Sequence, residues 1–134
     1  MDGIFRYLDK SLKEVYSKDL NIIHNQSIKS VAFRLGVYLN KLLVCDLAYR
    51  NLYVDYKFKN KEDYLDLVIH NRRTKDNIFV IHIIKEESLV KDGINKIKLI
   101  TNTNDLTRRG VLIVLHDSYY ESFKLSPKHY EETN

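Results

Sequence analysis

The sequence predicts an α/β fold in which helices pack on one mixed β-sheet, and three observations lead to it. A helical period governs the first third of the chain, and a period of two takes over from Leu52. A further helical stretch then separates two strongly apolar, strand-sized runs, Ile78–Ile84 and Val111–Leu115. Strands joined by short polar turns make a meander, and a strand reached through a crossover helix can rejoin the sheet in parallel. The expected order is α-α-β-β-β-α-β.

The first helix is expected over Gly3–Ser17, where Ile4, Leu8, Leu12 and Val15 recur at spacings of three and four. A second is expected over Gln26–Leu43. There Ile28, Val31, Ala32, Leu35, Leu39 and Leu42 form one apolar stripe, with Lys29, Arg34, Asn40 and Lys41 elsewhere on the helix. From Leu52 the residues Leu52, Val54, Tyr56 and Phe58 alternate with Tyr53, Asp55, Lys57 and Lys59, as in a half-buried strand. Tyr64–His70 is expected to be the second strand. After the polar turn Asn71–Asn77, the third covers Ile78–Lys85, and its nearly unbroken apolar run implies burial on both faces. Lys91–Thr101 returns to helical spacing, with Ile94, Ile97 and either Leu99 or Ile100 turned inward, and Gly110–His116 supplies the last strand. From Asp117 to Asn134 the chain turns polar and carries its only proline, Pro127, so a short helix and a polar tail are expected.

A chain of 134 residues suits one domain, spanning 1–134, that buries roughly 68% of its unfolded surface. With 44% apolar residues, 30% charged residues, four glycines and one proline, collagen-like, low-complexity and wholly disordered classes are excluded. The single cysteine, Cys45, forms no internal disulfide and builds no cysteine-based zinc site, which points inside the cell; a lone thiol reads as a small buried hydrophobe. No apolar run reaches the roughly 18–20 residues of a membrane helix, so no membrane partner is expected. Asp2, Arg6, Asp9 and Lys10 leave no room for the apolar core of a secretory signal, and a cytoplasmic location follows. The net charge of +4 is concentrated between Arg50 and Lys75, where seven basic residues face four acidic ones.

Self-contained catalytic motifs are absent: no Gly-rich phosphate loop, no His-Glu-x-x-His, no Gly-x-Ser-x-Gly and no Cys-x-x-Cys occurs. The five histidines stand too far apart in sequence to put two ligands on one helix face. What remains is the whole arrangement: the helix Gln26–Leu43, then Tyr53-Val54-Asp55-Tyr56, then Tyr64-Leu65-Asp66-Leu67-Val68-Ile69-His70, then Asn77-Ile78-Phe79-Val80-Ile81-His82-Ile83-Ile84-Lys85. Together with the crossover helix and last strand, about Leu20–His116, this resembles the PD-(D/E)xK, restriction-endonuclease-like nuclease superfamily, and within it a group of small bacterial proteins.

The resemblance implies a helix glutamate, a strand aspartate, and a glutamate and lysine two residues apart on the next strand, gathered on a divalent metal. Carboxylates hold the cation, which lowers the pKa of a bound water and polarises the phosphate, while the lysine orients the nucleophile. Carried over residue by residue, Asp66 matches the aspartate, with Leu65 where a proline often precedes it. The glutamate of the helix falls at Gln26, that of the strand at His82, and the lysine at Ile84. Three of the four side chains have therefore lost their chemistry, and the expectation is a degenerate centre with no catalytic residues and no cofactor. Mg²⁺ or Mn²⁺ enters only if a divergent nuclease rebuilds the centre from Asp66, His82, a Lys85 swung round by a bulge, or Glu86 and Glu87. If any metal binds, Asp66 and His82 are the candidate ligands.

Lys57, Lys59, Arg72, Arg73 and Lys75 form a basic cluster on the outer strand and the next turn, with Tyr53 and Tyr64 nearby for stacking. Exposed lysines on a strand also discourage edge-to-edge aggregation, so the cluster has a structural reading as well. The expected function is binding of DNA, RNA or a protein partner without cleavage. The alternatives are a divergent metal-dependent nuclease and a structural homodimer that has no nucleic-acid partner.

Overall fold

The computed structural model describes residues 2–25, 28–57, 65–71, 77–85, 87–103 and 109–125. Helices α1 (Asp2–Lys18), α2 (Leu20–Asn25) and α3 (Ile28–Val44) precede the strands β1 (Leu52–Lys57), β2 (Leu65–Asn71) and β3 (Asn77–Ile84). A 3-10 turn at Glu87–Leu89 leads into α4 (Val90–Thr103), which is followed by β4 (Arg109–Leu115) and β5 (Tyr120–Leu125). The strands form one open mixed sheet in the order β1-β2-β3-β4-β5. β1, β2 and β3 are an antiparallel meander, β4 joins β3 in parallel, and β5 returns antiparallel to β4.

Alternation along the strands gives the sheet two differently covered faces. On one face Leu67, Ile69, Phe79, Ile81, Ile83, Val111, Ile113 and Leu115 meet the apolar stripes of α1 and α3. On the other, Ile84, Leu112 and Val114 pack with Ile97 of α4, and Val90, Ile94 and Phe123 close the margin. Burial of β3 on both faces, expected from its unbroken apolar run, follows from this sandwiching: Phe79 through Ile84 are each no more than 4% exposed.

Three local expectations need correction. The stretch after Asp117 is a strand, not a short helix. His116 N–H donates to the Tyr119 carbonyl at 2.9 Å to make a tight turn, and β5 occupies the outer edge of β4, which would otherwise expose an unpaired row of backbone groups. The period of two in Tyr-Glu-Ser-Phe-Lys-Leu is faint because each face mixes apolar and polar residues, Tyr120 with Ser122 and Lys124 on one and Phe123 with Glu121 on the other. Ahead of α3, Leu20–Asn25 forms a separate short helix that buries Ile23. Cys45 is exposed rather than buried, because it falls in the turn directly after α3.

Asp19 holds this helical layer together. It sits at the corner between α1 and α2, and its carboxylate accepts hydrogen bonds from the Tyr38 hydroxyl at 2.5 Å and from Arg34 Nη2 at 3.1 Å, both on α3. At the opposite end of α1, the Tyr7 hydroxyl donates to the Asp46 carboxylate in the turn after α3. Burial works to raise the Asp19 pKa, but the two hydrogen bonds and the Arg34 charge outweigh it and hold the carboxyl below its ordinary value. A depressed folded-state pKa means stabilisation that is present above the ordinary aspartate pKa and lost as pH falls through the folded value. Asp19→Asn is therefore expected to cost about 1–2 kcal/mol at neutral pH, measured by urea unfolding. The variant should also lose less further stability than the parent when titrated from about pH 4 downward. An equal loss in the two proteins would show that Asp19 does not carry this acid sensitivity.

Candidate functional site

Of the positions matched to the nuclease centre, Asp66 and His82 stand opposite each other in one row across the sheet, with Ile84 two residues further along β3. Backbone register sets Lys57 opposite Asp66, Asp66 opposite His82, and His82 beside Leu112. His82 and Ile84 share a face, as a spacing of two requires. That face is the one covered by α4. His82 is 4% exposed and Ile84 3% exposed, with Ile84 packed among Ile97, Leu112 and Val114.

Gly93 is what lets α4 come so close. A Cβ built on it would stand 2.8 Å from Leu112 Cδ1 and 3.4 Å from the His82 ring carbon Cδ2. The helix backbone itself thus lies over the row, leaving the His82 and Ile84 positions in a packed layer.

Lys85, the next residue along, takes the other side. Its Nζ donates to the Ile23 carbonyl at 2.8 Å, so it serves a carbonyl near the C-terminus of α2 that has no partner within that short helix. Burial pushes its amine pKa down, and the Asp117 charge only partly opposes this. His24 contributes to the same corner, its Nε2 lying 2.7 Å from the Asp117 carbonyl oxygen. His116 Nε2 pairs with Glu121 Oε1 at 2.8 Å while its ring stacks on Tyr119, 4.3 Å between centroids.

Gln26, Lys59, Arg72, Arg73, Lys75, Tyr64 and Glu86 lie outside the described residues, as do the side chains of Lys57, Asp66 and Glu87. Of the aromatics expected near the basic cluster, Tyr53 is half-buried and its ring lies 5.2 Å from that of its cross-strand neighbour His70.

A hard divalent cation does not fit the described part of this row. Mg²⁺ takes oxygen ligands in near-octahedral geometry, whereas the row offers an imidazole under a helix and a sealed isoleucine. Among the described residues no group of three or more His, Cys, Asp or Glu gathers in one place.

A second cluster had no local signature in the sequence. Arg6, Arg109 and Lys124 stand more than a hundred residues apart at the extremes, yet Arg109 and Lys124 collect around Phe5 and Arg6, whose guanidinium lies over the Tyr7 ring at 5.4 Å, borders the same groove. Lys124 Nζ lies 4.6 Å from the Phe5 ring centroid and the Arg109 guanidinium carbon 5.9 Å from it, while Arg6 is the adjacent residue on α1 and lines the same groove. Only the pairing of β4 with β5, and the packing of α1 over them, could reveal it.

No family model matches the chain, and no curated protein or solved structure matches it at significance. Among the described residues no helix is long and apolar enough to cross a membrane.

Substitutions at two positions test how tightly α4 is packed on the sheet. Gly93→Val should lower stability by about 1–3 kcal/mol through overpacking, whereas Gly93→Ala should stay nearer neutral, since the helix-propensity gain of about 1 kcal/mol offsets the shift of Leu112. Ile84→Lys should cost about 3 kcal/mol or more by placing an ammonium in the α4 layer. Chemical denaturation of the three variants checks both; a stable Ile84→Lys protein would mean that the layer opens to water.

Proposed function

We propose that the chain is a restriction-endonuclease-like protein whose cleavage centre has been given over to packing, and that it acts by binding nucleic acid rather than cutting it. The fold part of the reading is supported by the meander followed by a crossover helix and a parallel strand. The observation that carries the loss of catalysis is the burial under α4 of His82, the cross-strand partner of Asp66, and of Ile84 two residues along the same face. A glutamate and a lysine in those positions would need a cation and water beside them, and an uncompensated buried charge costs several kcal/mol. The histidine and isoleucine found instead are compatible with a packed layer.

The binding part is supported by the net charge of +4 and the basic excess between Arg50 and Lys75. A few lysines and arginines acting on phosphates give affinity that is strongly salt-dependent and tolerant of sequence.

Lys85 counts against the divergent nuclease, since its amine is engaged on the opposite face of the sheet from His82.

The test joins cleavage to binding. Purified protein incubated with plasmid DNA or single-stranded RNA in Mg²⁺ or Mn²⁺ should leave both intact. In the same buffer without metal it should shift the anisotropy of labelled DNA or RNA, with affinity falling steeply between about 50 and 200 mM salt. Cleavage that disappears in Asp66→Ala would restore the nuclease. Absence of any binding at the lowest salt would leave a protein partner or a second copy as the ligand.

A further inference from the structure

The groove between α1 and β5 lies on the opposite face of the sheet from His82, away from the row matched to the nuclease centre. Its volume is about 300 Å³, and Phe5, Arg6, Asp9, Ser122 and Lys124 line its mouth. β5 is an edge strand that α1 only partly covers, so the residues Tyr120, Ser122 and Lys124, which share a face, border open space. From Tyr120 to Lys124 that border runs about 13 Å at the usual rise of a strand.

The charge along it is one-sided. Arg6 and Lys124 are exposed, Arg109 is half-buried beside the same Phe5 ring, and the one carboxylate, Asp9, is already engaged with Lys13 at 3.1 Å. An exposed cation on each wall, a hydroxyl from Ser122 and an aromatic ring at one end are the parts that a single nucleic-acid strand requires: charge for successive phosphates, a donor, and a face for a base.

We propose that this groove binds the phosphate backbone of a single nucleic-acid strand, with Arg6 and Lys124 as the principal phosphate contacts and Arg109 holding the Phe5 end. The proposal rests on the nucleic-acid reading above and gives it a location that the basic cluster of the meander does not share. Lys124 lies over Phe5 in the free protein, so strand entry draws its ammonium from the ring to a phosphate, and Phe5 becomes available for stacking.

The experiment titrates the full chain with a labelled oligothymidylate of about a dozen nucleotides, following anisotropy at several salt concentrations. Arg6→Glu with Lys124→Glu should weaken binding by about tenfold or more at low salt. Its plot of log affinity against log salt should be shallower by about 1.4, two contacts at about 0.7 each for a single strand. Lys41→Glu with Lys91→Glu changes the net charge equally on the exposed surfaces of α3 and α4 and should leave the slope near that of the parent. Both pairs are exposed, and thermal melts confirm that each variant is folded. If the groove pair binds as the parent does, or if both pairs weaken binding alike, the groove is not the contact and nucleic-acid binding survives elsewhere. If the parent itself fails to bind at low salt, the groove proposal and the nucleic-acid reading fall together.

Discussion

Two neighbouring parallel strands that must be dry on both faces govern this structure. From Phe79 to Ile84 in β3, and from Val111 to Leu115 in β4, no residue is more than 4% exposed. Burying such runs is favourable at about 25 cal/mol per Å² of apolar surface, but it is possible only if their backbone groups are paired on every side. β2 and β5 supply those pairs at the outer edges. α1 and α3 must then cover one face and α4 the other, so the crossover helix is a structural necessity before it is a connection.

That constraint decides what chemistry the row at His82 can support. A helix seated through Gly93 lies so close to the strand that even a Cβ at that position would come within 2.8 Å of Leu112 Cδ1. A carboxylate or an ammonium on the even-numbered positions of β3 would lose hydration without gaining partners there. The closeness of α4 and the absence of a carboxylate or an ammonium at positions 82 and 84 are therefore one condition seen twice. Either alone would be unstable: charged residues would push the helix away, and an open layer would leave Ile84, Ile97 and Leu112 wet.

Much of the fold was legible because it is written in short-range periodicity. The α1 and α3 stripes, the alternation of β1, and the unbroken apolar runs of β3 and β4 each state which face is buried. β5 was not legible, since an edge strand with Glu121, Ser122 and Lys124 exposed has little apolar pattern to show. Its existence follows from the needs of β4, a tertiary fact. Of the candidate site, what was legible is that Asp66 and His82 fall on neighbouring strands, and the register sets them opposite each other; the close packing of α4 over His82 and Leu112 turns on one glycine in a helix, which in sequence reads only as a weak helix residue. The Arg6, Arg109 and Lys124 cluster was invisible because its members meet only when three distant elements pack.

The fate of Lys85 shows how strictly strand parity binds function. Odd-numbered residues of β3 face α1 and α3, and even-numbered ones face α4. For a lysine at position 85 to reach the face of His82, one residue would have to be added or removed between them, that is, a bulge in the segment 82–85. The irregularity that β3 does have lies at the other end, where the register with β2 shifts between Ile69 and His70. From Phe79 to Ile84 the pairing with β4 is unbroken, one residue for one. Introducing a bulge there would turn Ile83 out of the α1 and α3 core and strip the Ile23 carbonyl of its donor, exchanging a filled core position for a buried ammonium. Lys85 is thus held to a structural task by the same two-sided burial that packs His82 and Ile84 under α4.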